Sequence, residues 1–579
     1  MSDLVKRLLP YLVRYKKQLR LGMVALVLGK TAGVFMPQVL RMTVDDLTVS
    51  ITAQKLLFYA GLVVGISVVE GFFRFWMRRL LIGVSRYVEY DLRGDYFAHL
   101  QRMSPSFFHR WRTGDLMSRA SNDITAVRMV LGPGIMYPAE TAIITVGCLV
   151  FMISISFELT LVALAVMPVV SFAVKKFGAL IHKRFEAIQA KMSDISALVQ
   201  ENLSGMRVVK AYTQEAHEQA KFEEENRKYL RCNIDLVKVW GAFHPLLAVL
   251  SGIGSALVLW WGGRMVVNQE ITLGQLVAFI AYLAMLTWPM IAFGWVVNIY
   301  QRGSASMKRL AAIWREEPEL EEAPDAVRGG LEGRIELKGV SFSYNGVAVL
   351  KDIDLSIEPG QTVALVGRTG SGKTSLVSLI PRLYDVNEGQ VLVDGVDVRK
   401  RSLAELRRAV GYVPQESFLF SETVGENIAF GRPSTAGEEI ARATEVAGLA
   451  GDIADFPARF DTMVGERGIT LSGGQRQRAT IARALVVDPR ILILDDALSS
   501  VDTETEERIL SELRGVISQR TTLLVSHRIS TIKDADVIVV LDGGRIVEQG
   551  THEKLLELDG IYAGLYRKQL LEEELELLP

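Results

Sequence analysis

Apolar and polar positions divide this chain into two halves. In the first half, apolar runs near the ~20-residue length that spans a bilayer recur from Leu21 to Leu40, Leu56 to Met77, Tyr137 to Ile155, Leu159 to Phe177, His244 to Val267 and Leu273 to Ile299. Long polar intervals, residues 78–136 and 178–243, separate the second run from the third and the fourth from the fifth. Both intervals are poor in Pro and Gly, from Val84 onward and from Arg184 to Trp240, so the spans are expected to continue as helix beyond the membrane. The stretch Leu4 to Leu19 sets basic residues between Leu, Val and Tyr and reads as an amphipathic helix at the interface. Trp288-Pro289 in the sixth run predicts a kink, because Pro removes a helical hydrogen bond. Residues 316–333 are acidic with Pro and Gly and read as a linker. From 334 to 579 short apolar strands alternate with helical stretches, the pattern of an α/β domain. The expected architecture is therefore an all-α membrane domain of six transmembrane helices with long cytoplasmic extensions (1–315), a linker, and an α/β domain (334–579).

Charge orients this picture. The formal net charge of −1 hides an excess of +12 over residues 1–320 and −13 over residues 321–579. The short loops hold Asp45, Asp46, Glu158 and Glu270 against Lys55 and Arg264, whereas Lys6, Arg7, Arg14, Lys16, Lys17 and Arg20 precede the first run. The positive-inside rule puts both termini and the long loops in the cytoplasm of a multi-pass plasma (inner) membrane protein. A hydrophobic content of 49% excludes disorder, and two cysteines, Cys148 and Cys232, exclude a disulfide scaffold. No A-x-A-like cleavage site follows the first run, so no signal peptide is expected. Lys30, Glu70 and Glu140 interrupt the apolar runs. Charges at such depth face a partner or a wet cavity, so two uses fit them: contact with substrate, or pairing with one another. Met285 and Met290 flank the kink and suit either promiscuous apolar binding or simple filling of space.

The α/β domain carries the chemistry. Thr362-Val363-Ala364-Leu365-Val366 reads as a buried strand and leads into Gly367-Arg368-Thr369-Gly370-Ser371-Gly372-Lys373-Thr374-Ser375, which contains the G-x-x-x-x-G-K-T phosphate-binding loop. The glycines let backbone N–H groups converge on phosphate oxygens, Lys373 supplies a point charge, and the Thr374 hydroxyl is a Mg²⁺ ligand. A second apolar strand, Ile491 to Leu494, ends in Asp495-Asp496. Asp495 is placed for Mg²⁺, and Asp496 stands where a base for attacking water belongs.

Leu471-Ser472-Gly473-Gly474-Gln475 matches the signature of the ATP-binding cassette (ABC) transporters, and the chain resembles that family throughout, specifically bacterial half-transporter exporters of the multidrug type. The resemblance implies further roles. Tyr344 corresponds to the aromatic that stacks on adenine, Gln415 to the glutamine that approaches Mg²⁺ and senses the membrane domain, and His527 to the histidine on the γ-phosphate. Glu466-Arg467-Gly468 corresponds to a cross-talk segment and Ser499-Ser500-Val501-Asp502 to a dimer-contact loop. Phe107 to Ile124 and Ser204 to Gln214 match short coupling helices by position. It also implies that two cassettes close head to tail on two ATP molecules. Each site then joins the phosphate loop of one chain to the signature of the other, here Leu471 to Gln475 with Asp502. The implied partners are a second half-transporter, membrane lipid and a small amphipathic substrate. A nucleic-acid partner is not expected, because six spans exclude a soluble cassette of the DNA-repair or translation type.

The family carries Glu after the strand-end Asp, and here that residue is Asp496. Its carboxylate reaches ~1 Å less far, and a misplacement of that size costs on the order of 100-fold in rate. This departure resembles the degenerate-site subunit of heterodimeric exporters, whose partner chain carries the Glu. A homodimer with slow turnover, a lipid or lipid-linked flippase, and a nucleotide-gated channel or sensor are the competing expectations. Arg41, Arg74 and Lys30 suit either a drug or a lipid headgroup.

Overall fold

The computed structural model describes residues 2–576 except Ile51, Glu466, Arg467, Ile469 and 499–502. It divides into two compact units, Met1–Gln101 with Thr113–Glu316, and Arg102–Arg112 with Glu317–Pro579.

The first unit is helical. Among the described residues, 5 helices are long and apolar enough to cross a membrane: Lys16–Val49, Ala53–Gln101, the jointed Thr113–Ile155, Phe157–Ser204 and Glu215–Val267. Three of them have 49, 48 and 53 residues, about 70–80 Å at 1.5 Å per residue. That is more than twice a bilayer's ~30 Å apolar core, so the polar intervals do prolong the spans as helix. The prolongation is not continuous. One interval stops at Gln101 and resumes through a π-turn at Arg119–Asp123, and a second joint follows at Gly132. A Cβ at Gly132 would stand 2.8 Å from Ser85 Oγ, so the close approach of two helices fixes that joint. The other interval breaks at Gly205 and at Tyr212–Gln214, on either side of the short helix Met206–Ala211.

The sixth apolar run departs from expectation. It is divided into Leu273–Met285, only 13 residues, and Thr287–Trp314, with Leu286 between them. Pro289 lies in the first turn of the second piece, where its missing N–H does least harm. The interruption therefore comes just before the Pro. The N-terminal helix is shorter than expected, Ser2–Arg14, because the chain turns at Tyr15. Tyr11 donates to Asp95 (2.6 Å), Arg14 to Asp91 (2.8 Å) and Tyr15 to Asp91 (3.1 Å), so two carboxylates of the Ala53–Gln101 helix hold this end of the chain.

The intramembrane charges pair with one another. Lys30 Nζ stands 2.5 Å from Glu140 and 4.0 Å from Glu70, and Arg74 is ion-paired with Glu70. Three helices thus meet in one neutral network, as burial of charge requires.

The second unit is the cassette. Strands β1 (Ile335–Tyr344), β2 (Val347–Ile357), β4 (Glu388–Val393) and β5 (Val396–Asp397) form an antiparallel sheet of order β2-β1-β4-β5. Strands β3 (Thr362–Val366), β6 (Val410–Val413), β7 (Ile491–Asp495), β8 (Thr521–Val525), β9 (Val537–Asp542) and β10 (Arg545–Gly550) form the order β10-β9-β3-β8-β7-β6. All neighbours in it are parallel except β9 and β10. Strands β7 and β8 are buried at every position, which is why they read as unbroken apolar runs. The carboxyl ends of β3, β8, β7 and β6 lie side by side on one edge, where an open α/β sheet binds its ligand.

Asp394 joins the linker end to this unit. Its carboxylate accepts from the backbone N–H groups of Glu332 (3.0 Å), Gly333 (3.0 Å) and Arg334 (2.8 Å). Hydrogen bonds to a charged acceptor stabilise by about 1.5–3 kcal/mol each when shielded, less where water competes. Asp394→Ala is expected to raise amide exchange at residues 332–334 at least tenfold, measured by hydrogen–deuterium exchange.

Residues 102–112 belong to this unit although they interrupt the first in sequence. Their short helix, Pro105–Arg110, starts at a Pro in the first turn and buries Phe107 at 1% exposure. Glu319 accepts from Ser104 (2.8 Å), Ser106 and Arg110 (3.0 Å), and His109 lies 3.2 Å from the Tyr384 hydroxyl.

Candidate functional site

The edge of the parallel sheet gathers the residues that the motifs single out. The phosphate loop follows β3, His527 follows β8, Asp495 and Asp496 close β7, and Gln415 follows β6. Within the loop, Gly367, Gly370 and Gly372 have φ of +149°, +82° and +104°. A Cβ at Gly367 would overlap Leu541 O at 2.2 Å, and one at Gly372 would press on Leu350 at 2.7 Å. Only glycine allows the loop to curl this tightly.

Lys373 Nζ donates to Gly367 O (2.8 Å) and Arg368 O (3.1 Å), which places its charge over the loop's own carbonyls. Burial pulls its pKa down, opposed by Asp496 and Asp495. Thr374 Oγ1 donates to Asp495 Oδ1 at 3.1 Å. Asp495 is 1% exposed, and its Oδ2 has no hydrogen-bond partner, nor does the buried Ser371 Oγ. An orphaned carboxylate oxygen beside a phosphate loop suits Mg²⁺, and an orphaned hydroxyl there can donate to a phosphate oxygen. A bound Mg²⁺ would neutralise phosphate charge, and the Thr374 hydroxyl with the Asp495 carboxylate are the groups available to hold it.

Burial pushes Asp495 up to about 6, an effect that Thr374 and Lys373 moderate and Asp496 reinforces. Mg²⁺ needs the carboxylate free of its proton. The sign follows: above about pH 6 the site is ionised and competent, and below it a proton competes with the metal. Mg²⁺ affinity in the presence of ATP is expected to fall about tenfold per pH unit below about 6, measured by calorimetric titration between pH 5 and 7.5.

Asp496 has φ of +50°, a left-handed conformation that Asp tolerates better than most residues. Its N–H donates to Val525 O at 2.9 Å. Its carboxylate meets His527 Nδ1 at 3.1 Å and Gln415 Nε2 at 3.5 Å. Three separately matched residues therefore form one chain of contacts around a single carboxylate. That carboxylate is the main cause holding His527 above the usual imidazole range.

Tyr344 ends β1 and meets Tyr384 edge to face, with ring centroids 5.3 Å apart, and Phe342 at 4.7 Å. Tyr384 was not singled out in the sequence. It follows a helix in a polar turn and bears no motif.

The signature segment stands apart from the phosphate loop in its local bonding. Ser472 caps the helix Gly473–Leu485, accepting from Gln475 N at 3.2 Å while Gln475 Oε1 accepts from Ser472 N at 2.9 Å. This reciprocal box was legible as S-x-x-Q. Leu471 is buried, and Gln475 Nε2 is tied to Asp452 at 2.9 Å. Glu466-Arg467 and Ser499-Ser500-Val501-Asp502 lie outside the described residues; Gly468 has φ of +77°.

Comparisons with known proteins give the family. The family model of the ABC transporter transmembrane region matches residues 19–290, and that of the ABC transporter domain matches residues 350–499. The chain is 37% identical to a probable multidrug resistance ABC transporter ATP-binding/permease protein, YheI, of Bacillus subtilis, over 99% of this chain and 98% of that one. It is 36% identical to an ATP-dependent lipid A-core flippase of Syntrophus aciditrophicus, over 99% of this chain and 95% of that one. Among solved structures, a bacterial Atm1-family ABC exporter with ATP bound matches with a TM-score of 0.77 and 29% identity, covering 96% of this chain and 98% of that chain. The chain belongs to the ABC transporter family, as a multi-pass inner-membrane protein whose cytoplasmic cassette couples ATP hydrolysis to transport.

Proposed function

We propose that this chain is one half of a heterodimeric exporter that moves small amphipathic molecules across the inner membrane by alternating access, and that its own ATP site is catalytically weakened. The observation that carries this reading is Asp496, a short carboxylate spanned by His527 and Gln415 beside an otherwise complete phosphate loop. Gly367 to Ser375 would hold the phosphates, Tyr344 would stack on adenine, and Thr374, Asp495 and Gln415 would serve Mg²⁺. Asp496 and His527 would orient water poorly. Leu471 to Gln475, with Asp502, would complete the competent site on a partner bearing Glu at the equivalent of Asp496. A Gly-rich helix start suits that task, since its free N–H groups attract a γ-phosphate. The domains would be 1–315, a linker at 316–333 and 334–579, with Leu273–Ile299 serving as the sixth crossing despite its interruption.

The test is ATP hydrolysis by the purified chain alone in lipid nanodiscs, with the oligomeric state determined on the same sample. Negligible turnover, restored by co-expression with a Glu-bearing half-transporter, is expected. Robust turnover by a clean homodimer would overturn the heterodimer reading. A flippase is the second reading, favoured by the full-length similarity to the lipid A-core flippase of Syntrophus aciditrophicus. Movement of labelled lipid between leaflets, with no export of drug-like probes, would establish it.

A further inference from the structure

The network of Lys30, Glu70, Arg74 and Glu140 is not a uniform lock. Lys30 lies midway along the apolar run Leu21 to Leu40, about 14 Å from either end at 1.5 Å per residue, deep within a membrane-spanning stretch. It is 9% exposed, and its close partner is Glu140 at 2.5 Å. Glu70 is at the same level, since a Cβ at Gly33 would stand 3.3 Å from its carboxyl carbon. Yet Glu70 is 4.0 Å from Lys30, at the outer limit of an ion pair, and its close partner is Arg74. The Arg74 side chain is 49% exposed, against 21% for Glu70 and 14% for Glu140.

The two halves of the network therefore differ. Lys30 and Glu140 form a buried pair that is costly to break one-sidedly. Glu70 and Arg74 form a pair whose cation sits on the open side and is long enough to swing to a more polar level. A carboxylate at this depth must keep a cation. A substrate cation arriving from the open side can take the place of Arg74, and the network stays neutral throughout. An anion gains nothing comparable: pairing with Arg74 would strand Glu70 with a lysine already committed to Glu140.

We propose that Glu70 is the binding point for the cationic group of an amphipathic substrate, and that Arg74 is the resident cation the substrate displaces. The proposal rests on the amphipathic-export reading and adds a charge preference and a residue to it.

Equilibrium binding of two probes to the full chain in nanodiscs, without ATP, tests this. Tetraphenylphosphonium and tetraphenylborate have nearly the same shape and opposite charge. The wild-type chain is expected to prefer the phosphonium, and Glu70→Gln to lower that affinity at least tenfold. Arg74→Ala is expected to raise it, because the competitor is gone; a purely structural pair would lose binding with either change. Phosphonium binding unaltered by Glu70→Gln, or lowered by both variants alike, would overturn the proposal. So would a wild-type chain that prefers the borate or binds neither probe. Nucleotide binding by each variant checks its folding. Failure of the export reading is seen separately, as absence of ATP-driven movement of any amphiphile in inverted vesicles.

Discussion

Lys373→Ala is expected to weaken ATP binding at this chain's own site by on the order of 100-fold or more. The Lys373 ammonium lies over the phosphate loop, donating to Gly367 O and Arg368 O in a partly buried setting. Those carbonyls hold it ready and are poorer partners than a phosphate oxygen. A charge-assisted hydrogen bond contributes about 1.5–3 kcal/mol, and a second one is available to a phosphate pair. Losing about 3 kcal/mol corresponds to a little over 100-fold in affinity. Lys373→Arg is not a rescue, because the planar guanidinium does not fit a loop whose glycines leave no spare room at Gly367 and Gly372. Fluorescent-nucleotide titration of the full chain measures the effect. An affinity within threefold of wild type would show that the ammonium does not bind phosphate.

Much of this site was legible because its chemistry depends on residue type and spacing together. The glycine spacing of 367–374 implies a curled loop, and the observed left-handed φ values and absent Cβ space explain why no other residue serves. The strand end at Asp495 was readable from four preceding apolar residues, since β7 is buried throughout. What was not legible arises from tertiary contact. The break at Leu286 comes before Pro289, not at it, and composition gives no sign of that offset. The apolar pattern does not show where the interval breaks: Phe107 to Ile124 matches a coupling helix by position alone, whereas a short helix starts at Pro105 and residues 102–112 group with the cassette, where Glu319 gathers Ser104, Ser106 and Arg110 from far along the chain. Ser104-Pro105 was the available hint of a helix restart. Pairing among Lys30, Glu70 and Glu140 was one of two uses open from sequence; the structure shows Lys30 with Glu140 and adds Arg74 as the close partner of Glu70.

Asp496→Glu is expected to raise hydrolysis at this chain's own site by about 10–100-fold with little change in ATP affinity. The binding groups, Gly367 to Thr374 and Asp495, are untouched by the change. The added methylene carries the carboxylate ~1 Å further, and positioning errors of that size account for about 100-fold, or about 2.7 kcal/mol of barrier. The backbone opposes the full gain. Asp496 sits at φ of +50°, where a longer side chain lacks the local hydrogen bonding that helps Asp tolerate left-handed conformations. The variant should therefore lose about 1 kcal/mol of stability while its turnover rises. His527 and Gln415 also hold the shorter carboxylate, at 3.1 and 3.5 Å, and must yield for the longer one to advance. Asp496→Asn separates the two accounts of this residue. If Asp496 is idle for want of reach, removing its charge changes the chain's low turnover by less than threefold. If it is a working base, turnover falls by a further 100-fold or so, the scale of general-base catalysis. Single-turnover hydrolysis of radiolabelled ATP in nanodiscs, by the chain assembled with a half-transporter whose own site is blocked, reads both variants. A Glu variant that binds ATP normally and hydrolyses it no faster would show that reach is not the defect.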